Sequence, residues 1–109
     1  MKEHLVNFET AAFALQKGFD IHTPKSYYND NDKIVVYDTG SFRLCYAPTQ
    51  SLLKDWCRIK HNIHINIIYL PEDDLYDCQV VESNYRGVFR DDYYLGLEDC
   101  LMEALKLIN

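Results

Sequence analysis

Hydrophobic and polar positions change period several times along this chain, and each change marks an element. Phe8, Ala11, Ala12, Leu15 and Phe19 recur at helical spacing, which predicts a helix from about Phe8 to Lys17. Asn7 stands where an N-cap belongs, with Glu9 in the first turn and Lys17 in the last. Gly18 followed by Phe19 fits a left-handed residue and then an apolar contact past the helix end. Residues 20–32 show no period. Turn formers cluster there around Tyr27 and Tyr28, so the segment reads as an irregular loop. Lys33–Asp38 and Ser41–Tyr46 are β-branched and aromatic runs separated by Thr39-Gly40, which predicts a hairpin.

Pro48 ends that run, and Thr49 caps a second helix over Gln50–His61. Leu52, Leu53, Trp56 and Ile59 form its apolar stripe, with Lys54, Asp55, Arg58 and Lys60 on the solvent side. Asn62 suits a left-handed stop. From Ile63 to Leu70 the period drops to two, with Ile63, Ile65, Ile67 and Tyr69 on one face. Pro71–Asp74 turns into a strand over Leu75–Glu82, and Ser83-Asn84 into another over Tyr85–Arg90. Asp91 and Asp92 suit the start of a last helix. Its buried face is Leu97, Leu101, Ala104, Leu105 and Ile108. The expected fold is a single α+β domain over residues 1–109 in the order α-β-β-α-β-β-β-α. Adjacent hairpins imply a largely antiparallel sheet of about five strands, covered by three helices.

Composition changes this picture little. A chain of 109 residues, 48% hydrophobic and 26% charged, buries enough surface for one core without metal or disulfide staples. No apolar run approaches the ~18 residues of a membrane span. The early acidic residues and the lack of an apolar signal core point to the cytoplasm. Cys45, Cys57, Cys78 and Cys100 are far apart and fall inside expected helices and strands, the pattern of reduced, buried thiols. Charge adds more. Residues 1–66 carry eight Lys/Arg against seven Asp/Glu, whereas residues 67–109 carry three against ten. An acidic second half repels phosphate backbones and argues against nucleic acid as the main partner.

At Ala47-Pro-Thr-Gln-Ser-Leu-Leu-Lys-Asp-Trp-Cys-Arg-Ile-Lys-His-Asn-Ile-His-Ile65, and again at Leu101-Met-Glu-Ala-Leu-Lys-Leu-Ile108, the chain resembles a group of small proteins from prophages and other bacterial mobile elements. That group carries no assigned function. The resemblance implies a small intracellular accessory protein, and no catalytic or binding residue comes with it.

Candidate chemistry is sparse. Cys57, His61 and His64 have a Cys-x3-His-x2-His spacing, but no second pair follows and a helix-to-strand break separates the histidines, so no metal is expected. Glu72, Asp73, Asp74 and Asp77 lack the spacing of a calcium loop and read as a solvated turn. A Cys57 nucleophile with His61 as base shares its helix face with Leu53, which favours burial. No phosphate loop or nucleophile elbow occurs, so neither an enzyme nor a cofactor is expected. Nine tyrosines remain. Tyr27, Tyr28, Tyr76, Tyr85, Tyr93 and Tyr94, with Glu72, Asp73, Asp74 and Asp77, are the candidate interaction surface, because tyrosine is favoured where one end of a ring is dry and the other wet. The expected function is binding of another protein, or of a second copy, through a tyrosine-bearing sheet face, a strand edge or the acidic surface. The alternative is nucleic-acid binding by the basic end of the second helix, at Lys54, Arg58, Lys60 and His61.

Overall fold

The computed structural model describes residues 4–90 and 92–109. Its elements are α1 (Phe8–Gln16), β1 (Lys25–Asp30), β2 (Lys33–Asp38), β3 (Cys45–Tyr46), α2 (Gln50–His61), β4 (Ile65–Leu70), β5 (Leu75–Val80), β6 (Tyr85–Arg90) and α3 (Tyr93–Lys106), with a 3-10 turn at Val81–Ser83. The α+β class stands. The single sheet of about five strands does not: six strands form two antiparallel sheets, ordered β2-β1-β3 and β4-β5-β6.

The extra strand is β1, in the segment expected to be a loop. Its turn formers mask it, and its strand character comes from pairing with β2 in register from Lys25↔Asp38 to Asp30↔Lys33. Asn31 and Asp32 between them have φ of 50° and 66°. A two-residue turn of the primed type needs positive φ at both positions, and Asn and Asp tolerate it. The hairpin therefore lies one segment earlier than expected. Of the expected Ser41–Tyr46 strand only Cys45 and Tyr46 pair, and they pair with β1 on its far side. The chain must cross over β1 to get there. The Tyr28 hydroxyl fixes that crossing by donating to the Asp38 carbonyl at 3.1 Å and accepting from the Gly40 N–H.

The helices follow their signals more closely. Asn7 accepts from the Thr10 N–H at 2.9 Å to start α1. Gly18, at φ 96°, ends it with bonds from Gly18 N to the Leu15 carbonyl and from Phe19 N to the Ala14 carbonyl. That is the paired closure expected of a left-handed glycine after a helix. Thr49 accepts from the Leu52 N–H at 3.1 Å, and Asn62 at φ 56° terminates α2. One expectation there fails. Ile59 is 72% exposed, and Cys57 fills the buried stripe beside Leu53 and Trp56. Ile59 lies beyond Trp56 at the stripe's edge, where the body of the protein no longer covers it.

Asp92 accepts from the Tyr94 and Leu95 N–H groups at 3.0 Å and starts α3; Asp91 lies outside the described residues. Leu97, Leu101, Ala104, Leu105 and Ile108 are all buried. α3 packs across β4, β5 and β6 and meets α1 and α2 on its other flank, so it is the common wall of the core. Each such leucine contributes roughly 1.5–3 kcal/mol by leaving water. The four cysteines are free and buried. Cys78 of β5 and Cys100 of α3 are both fully buried in the core that the covered sheet shares with α3. No helix of the described residues is long and apolar enough to cross a membrane.

Candidate interaction surface

β4 and β5 are paired with Tyr69 opposite Tyr76. That face of the sheet also holds Ile67, Cys78 and Val80, because side chains alternate. α3 covers the face from Tyr93 onward, so Tyr69 and Tyr76 lie where the covered face meets the start of the helix. The two rings pack at 5.1 Å between centroids, Tyr76 meets Tyr93 edge-on at 5.7 Å, and Tyr93 meets Tyr94 edge-on at 5.4 Å. The Tyr94 ring then stacks on His4 at 3.6 Å with 4° between planes. Five rings thus form one unbroken row from a strand pair, across a helix start, to the N-terminal segment. Edge-to-face contacts of this kind hold rings in place at about 0.5–1.5 kcal/mol each.

Polar contacts fix the row from behind. The Asp92 cap sets the first turn of α3, which carries Tyr93 and Tyr94. Gln50, the first residue of α2, is buried and donates from Nε2 to the Tyr94 carbonyl and to Glu98 Oε1, both at 3.0 Å. Glu98 Oε2 accepts from the Asn7 N–H at 3.0 Å. The starts of α1, α2 and α3 are thereby tied at one point. Burial raises the Tyr93 hydroxyl above its ordinary range, with the neighbouring Tyr94 adding to the shift. Tyr93 therefore stays protonated, and a donor, at any physiological pH.

The acidic residues Glu72, Asp73 and Asp74 are exposed on the turn between β4 and β5. Asp74, at φ 51°, accepts from the Tyr69 hydroxyl at 2.7 Å, so the turn is anchored to the end of the ring row. Three of the tyrosines expected at a surface, Tyr76, Tyr93 and Tyr94, are brought together with these carboxylates. The others are placed elsewhere. Tyr27 packs on Phe8 and donates to the Val6 carbonyl inside the domain. Tyr28 serves the crossover beside β2, and Tyr85 packs on the core and donates to Asp99. Asp77 is only 7% exposed, and Arg86 binds both its oxygens, with Nε at 2.9 and 3.0 Å. That bond holds the Asp77 carboxyl below the usual range. Sequence reasoning missed Tyr69 and His4. Tyr69 was detectable as the last odd position of the alternating strand, whereas nothing local marks His4.

Other candidate groups are occupied in structural roles. Cys57 is fully buried, and burial pushes its thiol up to about 12, far from a reactive thiolate at neutral pH. The His61 ring packs edge-on against Trp56 at 4.7 Å. His64 instead holds Glu82, with Nδ1 at 2.8 Å and the backbone N–H donating at 2.6 Å. These contacts send Cys57, His61 and His64 in different directions. At the basic end of α2, Arg58 and Lys60 are exposed, and Arg58 lies 3.7 Å from Asp55. No family model matches this chain, and no curated protein or solved structure matches it.

Proposed function

We propose that this chain is a small, non-enzymatic, intracellular accessory protein that binds another protein through the row Tyr69–Tyr76–Tyr93–Tyr94–His4 and the adjoining acidic turn. The observation that carries the reading is the continuity of five rings with Glu72, Asp73 and Asp74 at one end. Ordered aromatic rings present large contact area at low entropic cost, which is why interfaces favour tyrosine. The carboxylates select a basic partner and speed its encounter. The resemblance to prophage and mobile-element proteins at residues 47–65 and 101–108 supports an accessory role encoded beside a larger system.

A photo-crosslinking phenylalanine analogue placed at Tyr93 in living cells tests this. A discrete adduct is expected at Tyr93, absent when the analogue replaces exposed Ile59, and lost when Glu72 and Asp73 become Lys. Adducts equal at both positions, or unaffected by charge reversal, would remove the reading. The nucleic-acid alternative has its own outcome. A low-salt gel shift abolished by Lys54→Ala, Arg58→Ala and Lys60→Ala would replace protein binding with phosphate binding at the end of α2.

A further inference from the structure

β2 is the outer strand of its sheet. β1 is its one substantial neighbour among the described elements. Five of the six residues in Lys-Ile-Val-Val-Tyr-Asp are exposed, and Ile34, Val36 and Tyr37 are 45%, 42% and 56% accessible. Natural sheet edges are ordinarily blunted by proline, a bulge, an inward charge or a covering segment. The four residues from Ile34 to Tyr37 carry no charge and no proline, and their register against β1 runs without a bulge.

The register also tells which backbone groups face outward. A two-residue turn closes on a pair that exchanges both of its bonds, so Lys33, Val35 and Tyr37 bond to β1. Thr39 keeps this phase, its N–H donating to the Pro24 carbonyl at 2.9 Å. Ile34 and Val36 therefore turn their N–H and C=O groups to the open side, as Asp38 does its N–H, while the Asp38 carbonyl already accepts from the Tyr28 hydroxyl.

We propose that two copies of this chain pair antiparallel through β2, centred on Val36, to make one continuous sheet ordered β3-β1-β2-β2-β1-β3. A two-fold axis perpendicular to a sheet keeps each side chain on its own face. The axis must therefore pass midway between a residue and its own copy directly opposite. With Val36 at the axis, Ile34 lies opposite Asp38 of the second copy and Val35 opposite Tyr37, a pairing of β-branched with aromatic side chains. The N–H and C=O groups of Ile34 and Val36 and the Asp38 N–H then find partners, and the Asp38 carbonyl takes a second bond beside the one from Tyr28. Centring on Val35 would instead set Asp32 opposite Asp38, two like charges. Charge also selects the direction. An antiparallel pair sets the Lys33 end of each strand beside the Asp38 end of the other, whereas a parallel pair aligns lysine with lysine and aspartate with aspartate. This surface is separate from the ring row, and the two stand or fall independently.

Sedimentation velocity of the intact chain across a wide concentration range tests the proposal, together with amide hydrogen exchange. The native chain is expected to dimerise. The amides of Ile34, Val36 and Asp38 should exchange slowly at high concentration and quickly on dilution, with no such dependence in β4. Val36→Pro removes one outward N–H and spares every β1–β2 bond, a place where edge strands tolerate proline. It should give a monomer with an unchanged far-ultraviolet spectrum. Should that variant not fold, Val36→Lys decides, since two lysines would meet at the axis. A native chain that stays monomeric throughout, or two folded variants that still dimerise, would overturn the proposal. So would concentration-dependent protection in β4 instead of β2, or dependence on an added partner alone.

Discussion

The two sheets are alike in size and in hairpin construction, and differ in what covers them. On β4-β5-β6, α3 lies over the face that carries Ile65, Ile67, Cys78 and Val80, while the other face meets solvent. On β2-β1-β3, contact with the body comes through α1 against β3 and through Tyr27 and Tyr46. β2 is left open on both faces and along one edge. A strand under a helix needs apolar residues on one side only, and β4 alternates accordingly up to Ile67. β2 has no alternation at all: Ile34-Val-Val-Tyr37 is apolar on both faces without cover. The first sheet is held by its own core. The second is held by a turn and a ladder, and the apolar surface of β2 is left uncovered.

The largest test of that contrast is truncation in the covering helix. Leu101 is fully buried between the helices and the covered sheet. Leu101→Ala should cost about 2–5 kcal/mol, from lost transfer energy and the cavity left behind. On the other sheet, Val36→Thr should change the stability of the dilute, unpaired chain by no more than ~0.5 kcal/mol. Urea unfolding of both variants measures the difference, and equal losses would mean that β2 is packed far better than its exposure indicates.

What was legible in the sequence divides along the same line. Every cap on the covered side could be read, since Thr49, Asn62 and Asp92 act through local backbone groups that a few residues specify. The buried face of α3 was equally plain because five positions repeat at one period. β1 was not legible. Lys25-Ser-Tyr-Tyr-Asn-Asp30 has strand formers only at its centre, and its conformation is decided by β2 across a turn whose residues also suit a loop. The single sheet fails for that reason: local pattern offers β2 no partner but the run after Gly40. The ring row was legible only in part. Tyr76, Tyr93 and Tyr94 were found from residue type, whereas His4 joins the row through a tertiary contact that no spacing encodes. Asp77 and Tyr85 have the same composition signal and opposite placement.

A smaller effect tests the joint between the sheets. α1 touches both β3 and α3, and Gly18 at φ 96° sets how the chain leaves it. A Cβ there meets nothing within 4 Å, so the cost of Gly18→Ala is backbone strain alone. About 1 kcal/mol is expected, read from the thermal midpoint. A neutral result would mean that the helix end relaxes without its left-handed residue. Smaller again, and of opposite sign, is Asp32→Gly. Position 32 has φ 66°, and Asn-Gly suits a primed two-residue turn better than Asn-Asp. A gain of a few tenths of a kcal/mol is expected, with slower amide exchange in β1 and β2. A loss would show that the Asp32 side chain, and not the turn's backbone, sets the hairpin.

The finest comparison is between two ion pairs, one on each sheet. Asp38 meets Lys25 at 2.6 Å on the open sheet, and Asp77 meets Arg86 on the outer face of the covered one. In both cases the bond from the cation holds the carboxyl below its usual range. A carboxyl so depressed adds stability above its unfolded value near ~3.9 and loses it as pH falls through the lower folded value. Both pairs therefore predict weakening in strong acid, and their surroundings decide how much. Asp38 is freely exposed, and its pair is a surface contact that salt screens. Asp77 has a buried side chain held through two oxygens by a planar guanidinium, a geometry a lysine pair lacks. Asp77→Asn should flatten the acid limb of the stability curve, and Asp38→Asn should leave it nearly unchanged. The measurement is the thermal midpoint against pH at low and at high salt. If salt erases the Asp77 difference as fully as the Asp38 one, the two-oxygen grip of the guanidinium shields charge no better than a surface lysine contact does.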